Sequence, residues 1–267
     1  MQQTQDVNSR NIPHPIQREV RQRCGFGCVI CGLPLYEYEH MNEWSKVKVH
    51  IAKDITLLCD RHHREKTAGL LPKTEVVKAN ENPYNLRNGV SKPYDLFFNG
   101  DSAEVEFGSN KFSCQANQTV TTLVPLTIDC TPLIGLRIID QHILLNITIF
   151  DKYNQLILNI IDNQLSYSVM PWDIQLVGTV LTIRERPGRI LIEFNFQPPT
   201  KIILTRGRMY FNGIELKIDK ERITINKGET KQIVEGNSGV NTIGGLSIGF
   251  PKPNYGSAIY LPLVERS

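Results

Sequence analysis

Residues 23–32 read RCGFGCVICG and residues 54–67 read DITLLCDRHHREKT. Each stretch holds two metal-ligating side chains with two residues between them: Cys28 and Cys31 in the first, Cys59 and His62 in the second. A tetrahedral zinc needs four donors. Two such pairs, each gripping the ion from one tight turn, supply three thiolates and an imidazole. Gly25, Gly27 and Gly32 flank the first pair and permit the turn. In small modules a metal held this way contributes on the order of 10 kcal/mol of apparent folding free energy. Cys24 is a further thiol that could replace one ligand, but its position suits packing or capping of the preceding helix.

The 27 residues between Cys31 and Cys59 make a longer loop than a small zinc ribbon needs, and they carry Glu39-His40; His63 directly follows the fourth ligand. A closed zinc site has no use for Glu39, His40 or His63, so this surplus predicts a second, chemical site on a zinc-stapled scaffold. Phosphodiester hydrolysis needs such residue types. A neutral histidine can take the proton of an attacking water near neutral pH. A hard cation can polarise the phosphate, and one carboxylate plus one imidazole leave most of its coordination positions open. Neighbouring residues on a strand face opposite ways, so Glu39-His40 is expected at a strand end or a distorted turn. His63 starts the helical stretch HREKTAGLL, from which its ring can project back towards the strand. His50 either contacts phosphate or ends a strand.

From Arg18 to about Leu71 the chain resembles the HNH endonucleases, through RCGFGCVICG, YEYEH (residues 36–40) and DITLLCDRHHREKT. The resemblance covers about a fifth of the chain. It implies a ββα-metal domain with a structural Cys3His zinc at Cys28, Cys31, Cys59 and His62. It also implies one Mg2+ or Mn2+ held by Glu39 and His63, with His40 as the base that activates water and DNA as the substrate. Asp54 takes the middle position, where the family usually has asparagine. Aspartate can accept a hydrogen bond from imidazole but cannot donate one. The family commonly supplies the cutting part of bacterial defence or restriction systems. The alternative, which Asp54 keeps open, is a catalytically silent zinc module that binds nucleic acid or protein.

Residues 1–100 carry 14 Lys+Arg against 11 Asp+Glu, and residues 101–267 carry 16 of each. The basic excess therefore lies with the histidine cluster. Arg18, Arg21 and Arg23 fall in a helix opened by Pro15; Lys46 and Lys48 precede His50; Arg61, Arg64 and Lys66 surround His63. These eight are the candidate phosphate contacts. Trp44 is the main aromatic among them, so a duplex groove is expected rather than a stacking channel. No run of eighteen apolar residues suggests a membrane helix, and the polar start MQQTQDVNSRNIPHP has no apolar signal core. The expectation is a cytoplasmic protein with reduced thiols, Cys114 and Cys130 among them as free, buried ones.

The expected fold class is α+β: an HNH domain over residues 1–78, a linker or wrap-around tail over 79–100, and an all-β domain over 101–267. The β-branched runs ILLNITIF, LILNII, RILIEFNF, KIILTRG and RITIN support the last, with hairpin turns at Arg186-Pro187-Gly188 and Asn212-Gly213. An antiparallel sandwich is the first choice and a β-helix-like stack the alternative. This domain shows no chemistry in sequence. Its role is expected to be recognition or regulation, through a protein partner, a small ligand or DNA. Trp172 reads as a core or corner residue, and the glycine-rich stretch 235–256 as tight turns on a sheet edge.

Overall fold

In a computed structural model, which describes residues 11–42 and 48–263, the chain opens on helix α1 (His14–Arg23), with Pro13 just before it and Pro15 in its first turn. Strand β1 (Glu37–His40) pairs antiparallel with β2 (Ile55–Leu58), so that Glu39 faces Thr56 and His40 faces Ile55. A short 3-10 turn (Ala52–Asp54) leads into β2, and helix α2 (Asp60–Thr67) follows it directly. Two further helices, α3 (Lys73–Glu81) and α4 (Tyr84–Asn88), follow, each entered through a proline, Pro72 and Pro83. Val20, Val29, Ile55, Leu57, Leu58 and Val76 form the core they share. Buried Asn85 of α4 donates to the Gly25 carbonyl at 2.8 Å. Gly32 sits at φ +77°, and a Cβ there would collide with the Asn85 side chain. The cysteine turn is thus shaped by contact with α4 as well as by its own chain.

The chain divides into two compact units, Met1–Pro93 with Ser168–Ile174, and Tyr94–Tyr167 with Gln175–Ser267. Residues 79–93 are therefore part of the first unit, held by the Tyr84 N–H on the Val29 carbonyl (2.9 Å) and the Lys92 N–H on the Gly32 carbonyl (3.3 Å). Residues 168–174, expected in the β domain, also belong to the first unit. The reason is chemical: Asp173 is fully buried and paired with Arg21 of α1.

The second unit is β structure throughout its described residues. Most neighbours are antiparallel hairpins. Asn212 and Gly213 both have positive φ, the pattern of a type I′ turn, and join Phe211 to Ile214. Asp129-Cys130, Asp140-Gln141 and Asp162-Asn163 make the same left-handed pair without glycine, and at this turn Cys130 is exposed, not buried as expected, while Cys114 is buried. The expected sandwich is corrected: the strands form one hydrogen-bonded network that closes on itself. Among the described residues, four of its ladders are parallel. In the network, strand Lys201–Phe211 pairs antiparallel with Arg189–Gln197 and parallel with Ser102–Phe107 in its first half. It turns to Ile214–Ile218 from Gly207 onward. The glycine-rich stretch holds a fully buried strand, Gly244–Ile248, flanked by parallel strands on both sides, rather than turns at an edge.

Candidate metal centre and histidine site

Cys28 and Cys31 sit on a tight turn in which the Gly32 N–H bonds the Cys28 carbonyl (2.7 Å) and the Cys28 N–H bonds the Leu33 carbonyl (2.9 Å). Cys59 precedes α2 and His62 lies in its first turn. Their donor atoms all fall within 4.8 Å of one another. His62 Nδ1 is 3.2 Å from Cys59 Sγ and 3.4 Å from Cys28 Sγ, and Cys31 Sγ is 3.7 Å from Cys59 Sγ. Metal–sulfur bonds of about 2.3 Å and a metal–nitrogen bond of about 2.0 Å place tetrahedral donors roughly 3.5–3.8 Å apart. The observed spacing fits a metal such as zinc. The Glu65 carboxylate lies 3.9 Å from the other ring nitrogen of His62, where it can help orient the ring.

The thiols themselves ask for a cation. A hydrogen bond from Cys31 pulls the Cys28 thiol down, towards the thiolate a metal needs. The same bond, with burial, pushes Cys31 up, and burial pushes Cys59 up. Three adjacent sulfurs carry charge together only with positive charge among them. Cys24 takes no part; it is buried at the end of α1, with its sulfur 4.0 Å from the Thr56 hydroxyl.

Next to this group lies the second cluster. Glu37 and Glu39 are two apart on β1 and share a face, and both approach His63 of α2. Glu39 Oε2 is 2.9 Å from His63 Nε2, and Glu37 Oε2 is 3.4 Å from His63 Nδ1. Lys66, one turn further along α2, pairs closely with Glu39 Oε1 and reaches the His40 carbonyl at 3.3 Å. His40 ends β1, as its adjacency to Glu39 implied, and its Nε2 lies 3.2 Å from His50 Nδ1. Burial lowers the pKa of His40 and the charge of His50 lowers it further, against the opposing carboxylates of Glu39 and Asp54. Asp54 ends the 3-10 turn, and its carbonyl accepts the Met41 N–H at 2.8 Å. Glu37 is an addition to the expected site; its two-residue spacing from Glu39 on a strand is the sequence signal for it. His50 gave no sequence signal that separated a contact with His40 from a strand end.

The expected phosphate contacts divide. Arg21 is only 3 % exposed and grips Asp173 with two hydrogen bonds of 2.8 Å. Burial would lower its pKa, but the Asp173 pairing outweighs this and raises it. Arg21 is therefore a structural residue, not a phosphate contact. Arg23 is spent on Asn80 (2.6 Å) and on the Ala52 and Ile55 carbonyls. Arg18 lies over the Trp172 ring, 4.6 Å from its centroid, and 3.7 Å from Asp173. Trp172 thus packs in the first unit. Lys66 is drawn into the histidine site. Arg61 and Arg64 are exposed on α2, paired to Glu65 and Asp60 within the helix, and Lys48 is exposed. Lys46 and Trp44 lie outside the described residues.

No protein-family model, curated protein or solved structure matches the chain.

Proposed function

We propose that the first unit is a metal-dependent, HNH-type endonuclease that hydrolyses DNA phosphodiester bonds. The observation that carries this reading is the Glu39–His63 contact, with His40 at the end of the same strand and the Cys3His group one residue from His63. Glu39 and His63 would hold a Mg2+ or Mn2+, which polarises a phosphate oxygen and stabilises the departing alkoxide. Burial and the neighbouring His50 favour a neutral His40, the form able to take a proton from water. His50 helps fix the His40 ring by the contact at Nε2. This is an orienting contact where the usual asparagine is missing. A role in defence or restriction follows from the sequence resemblance alone. Supercoiled plasmid incubated with the full chain and magnesium or manganese should be cut, and EDTA should prevent it. An intact plasmid across both metals would overturn the reading.

One observation favours a second reading, a silent zinc module that binds nucleic acid or protein. The Lys66 ammonium already neutralises Glu39, the proposed cation ligand. The two readings predict different behaviour of Lys66→Met. In an active nuclease the ammonium competes with the divalent ion. Its removal should then lower the magnesium concentration for half-maximal cutting roughly threefold, in keeping with an ion pair worth under ~1 kcal/mol. Titrating magnesium against cutting rate checks this.

The same titration separates two roles for Asp54. Asp54→Asn restores the family residue. If Asp54 orients His40, cutting should stay within about tenfold of the natural chain, since one hydrogen bond contributes about 1 kcal/mol. If Asp54 joins the cation, the magnesium requirement should rise clearly, because a charged oxygen ligand is lost.

A further inference from the structure

The β unit, silent in sequence, contains a basic cleft of about 600 Å³ at the Pro187-Gly188 hairpin and the middle of strand Lys201–Phe211. We propose that it binds the phosphates of a nucleic-acid backbone, through Arg186, Arg189, Arg206, Arg208 and Lys217. This site uses no residue of the first unit and goes beyond the nuclease reading.

Strand register carries the argument. Arg186 lies directly opposite Arg189 across the hairpin, and Arg208 lies directly opposite Lys217 on the neighbouring ladder. Like charges facing each other across a sheet oppose its formation, and here two such pairs line one cleft. Only part of this charge is answered within the protein. Arg189 pairs with Glu185 at 2.7 Å, Arg206 with Glu193 at 3.0 Å and Arg208 with Glu215 at 3.2 Å. Among the described residues, Arg186 and Lys217 have no carboxylate partner, and both are exposed. The backbone brings the cations together at Gly207, where a Cβ would collide with the Leu191 carbonyl oxygen. There the strand changes partners, with Arg206 on one side and Arg208 on the other.

The lining also selects the ligand. Guanidinium forks match phosphate oxygens two at a time. The cleft has no aromatic ring in its walls, so a base would find no stacking surface. A free nucleotide would bind by its phosphates alone, whereas a backbone offers several phosphates to an open cleft. Binding should therefore be insensitive to sequence and strongly salt-dependent.

The test uses the full chain and a short labelled DNA duplex, with affinity measured against salt concentration. Arg186→Ala/Lys217→Ala is the preferred variant, because neither residue leaves a carboxylate unpaired. Its affinity should fall at least about fivefold. The slope of log affinity against log salt should shrink by roughly 1.8, the loss of two phosphate contacts. Lys231→Ala, an exposed lysine elsewhere in the unit, should change neither. Lys217→Glu should weaken binding further, and circular dichroism melts should confirm that each variant folds. Unchanged duplex affinity and slope in the double variant would overturn the proposal. So would a loss confined to a second arm, in which inorganic phosphate or ATP replaces the duplex. Because the readout is binding, failure of plasmid cutting leaves this result intact, and failure here leaves the cutting result intact.

Discussion

Cys59→Ser should unfold the first unit while the β unit keeps its structure. Cys59 sits where two constraints meet. Its sulfur is 3.2 Å from His62 Nδ1 and 3.7 Å from Cys31 Sγ, and its backbone begins α2. Losing this donor opens the metal group and frees the segment that carries His62 and His63. The core around it is made by Val20, Val29, Ile55, Leu57, Leu58 and Val76. Such a module depends on its metal for folding free energy on the order of 10 kcal/mol. Treating the natural chain with a strong chelator of zinc should have the same effect. Metal analysis should find one zinc per chain, and thermal unfolding of the variant should retain only the β-unit transition. A folded first unit without zinc would refute the assignment.

Asp173→Ala should destabilise the first unit by about 3–5 kcal/mol, the usual consequence of leaving one member of a buried ion pair without its partner. Asp173 is fully buried, and Arg21 would be left with a charge that water cannot reach. Arg21 Nη1 also donates to the Tyr38 hydroxyl at 2.7 Å. Tyr38 is the neighbour of Glu39 on β1, so the pair braces the strand that carries the candidate site. The double variant Arg21→Met/Asp173→Ala should recover most of the loss, because it removes the unpaired charge and keeps apolar volume. Urea unfolding of the two variants measures this. A loss under 1 kcal/mol in Asp173→Ala would mean that the pair is not the brace described here.

These two residues also show where sequence reading stops. The Cys3His spacing was legible because all four ligands come from two short, regular turns. The position of Glu39-His40 at a strand end followed from the alternation of side chains on a strand. The burial of Arg21 is not legible in the sequence, because a charged residue on a short helix carries no local mark of it. Its partner lies 152 residues away. For Lys66, helix spacing aims the side chain at β1, but the sequence does not say that it meets Glu39 there. In the β unit, Asn212-Gly213 announced its hairpin, whereas Asp129-Cys130 and Asp140-Gln141 did not, since aspartate followed by a non-glycine residue is a weak turn signal. The parallel ladders that close the network join strands far apart in the chain, and such pairing leaves no local pattern. The basic cleft escaped notice because its five cations are interleaved with carboxylates, so the unit appears neutral until the strand register sets like charges opposite each other.

If His40 is the base of a metal-dependent nuclease, its removal must slow cutting and leave the rest of the protein intact. The natural chain and His40→Ala are incubated side by side with supercoiled plasmid and manganese, and the initial rates of cutting are measured. The side chain of His40 is half-buried and is not among the donors of the Cys3His group, so its loss should leave the fold and zinc content unchanged. The natural chain should cut, and His40→Ala should be slower by about 100-fold or more, the usual cost of a missing general base. Equal rates in the two proteins, or no cutting by the natural chain, would contradict that role for His40.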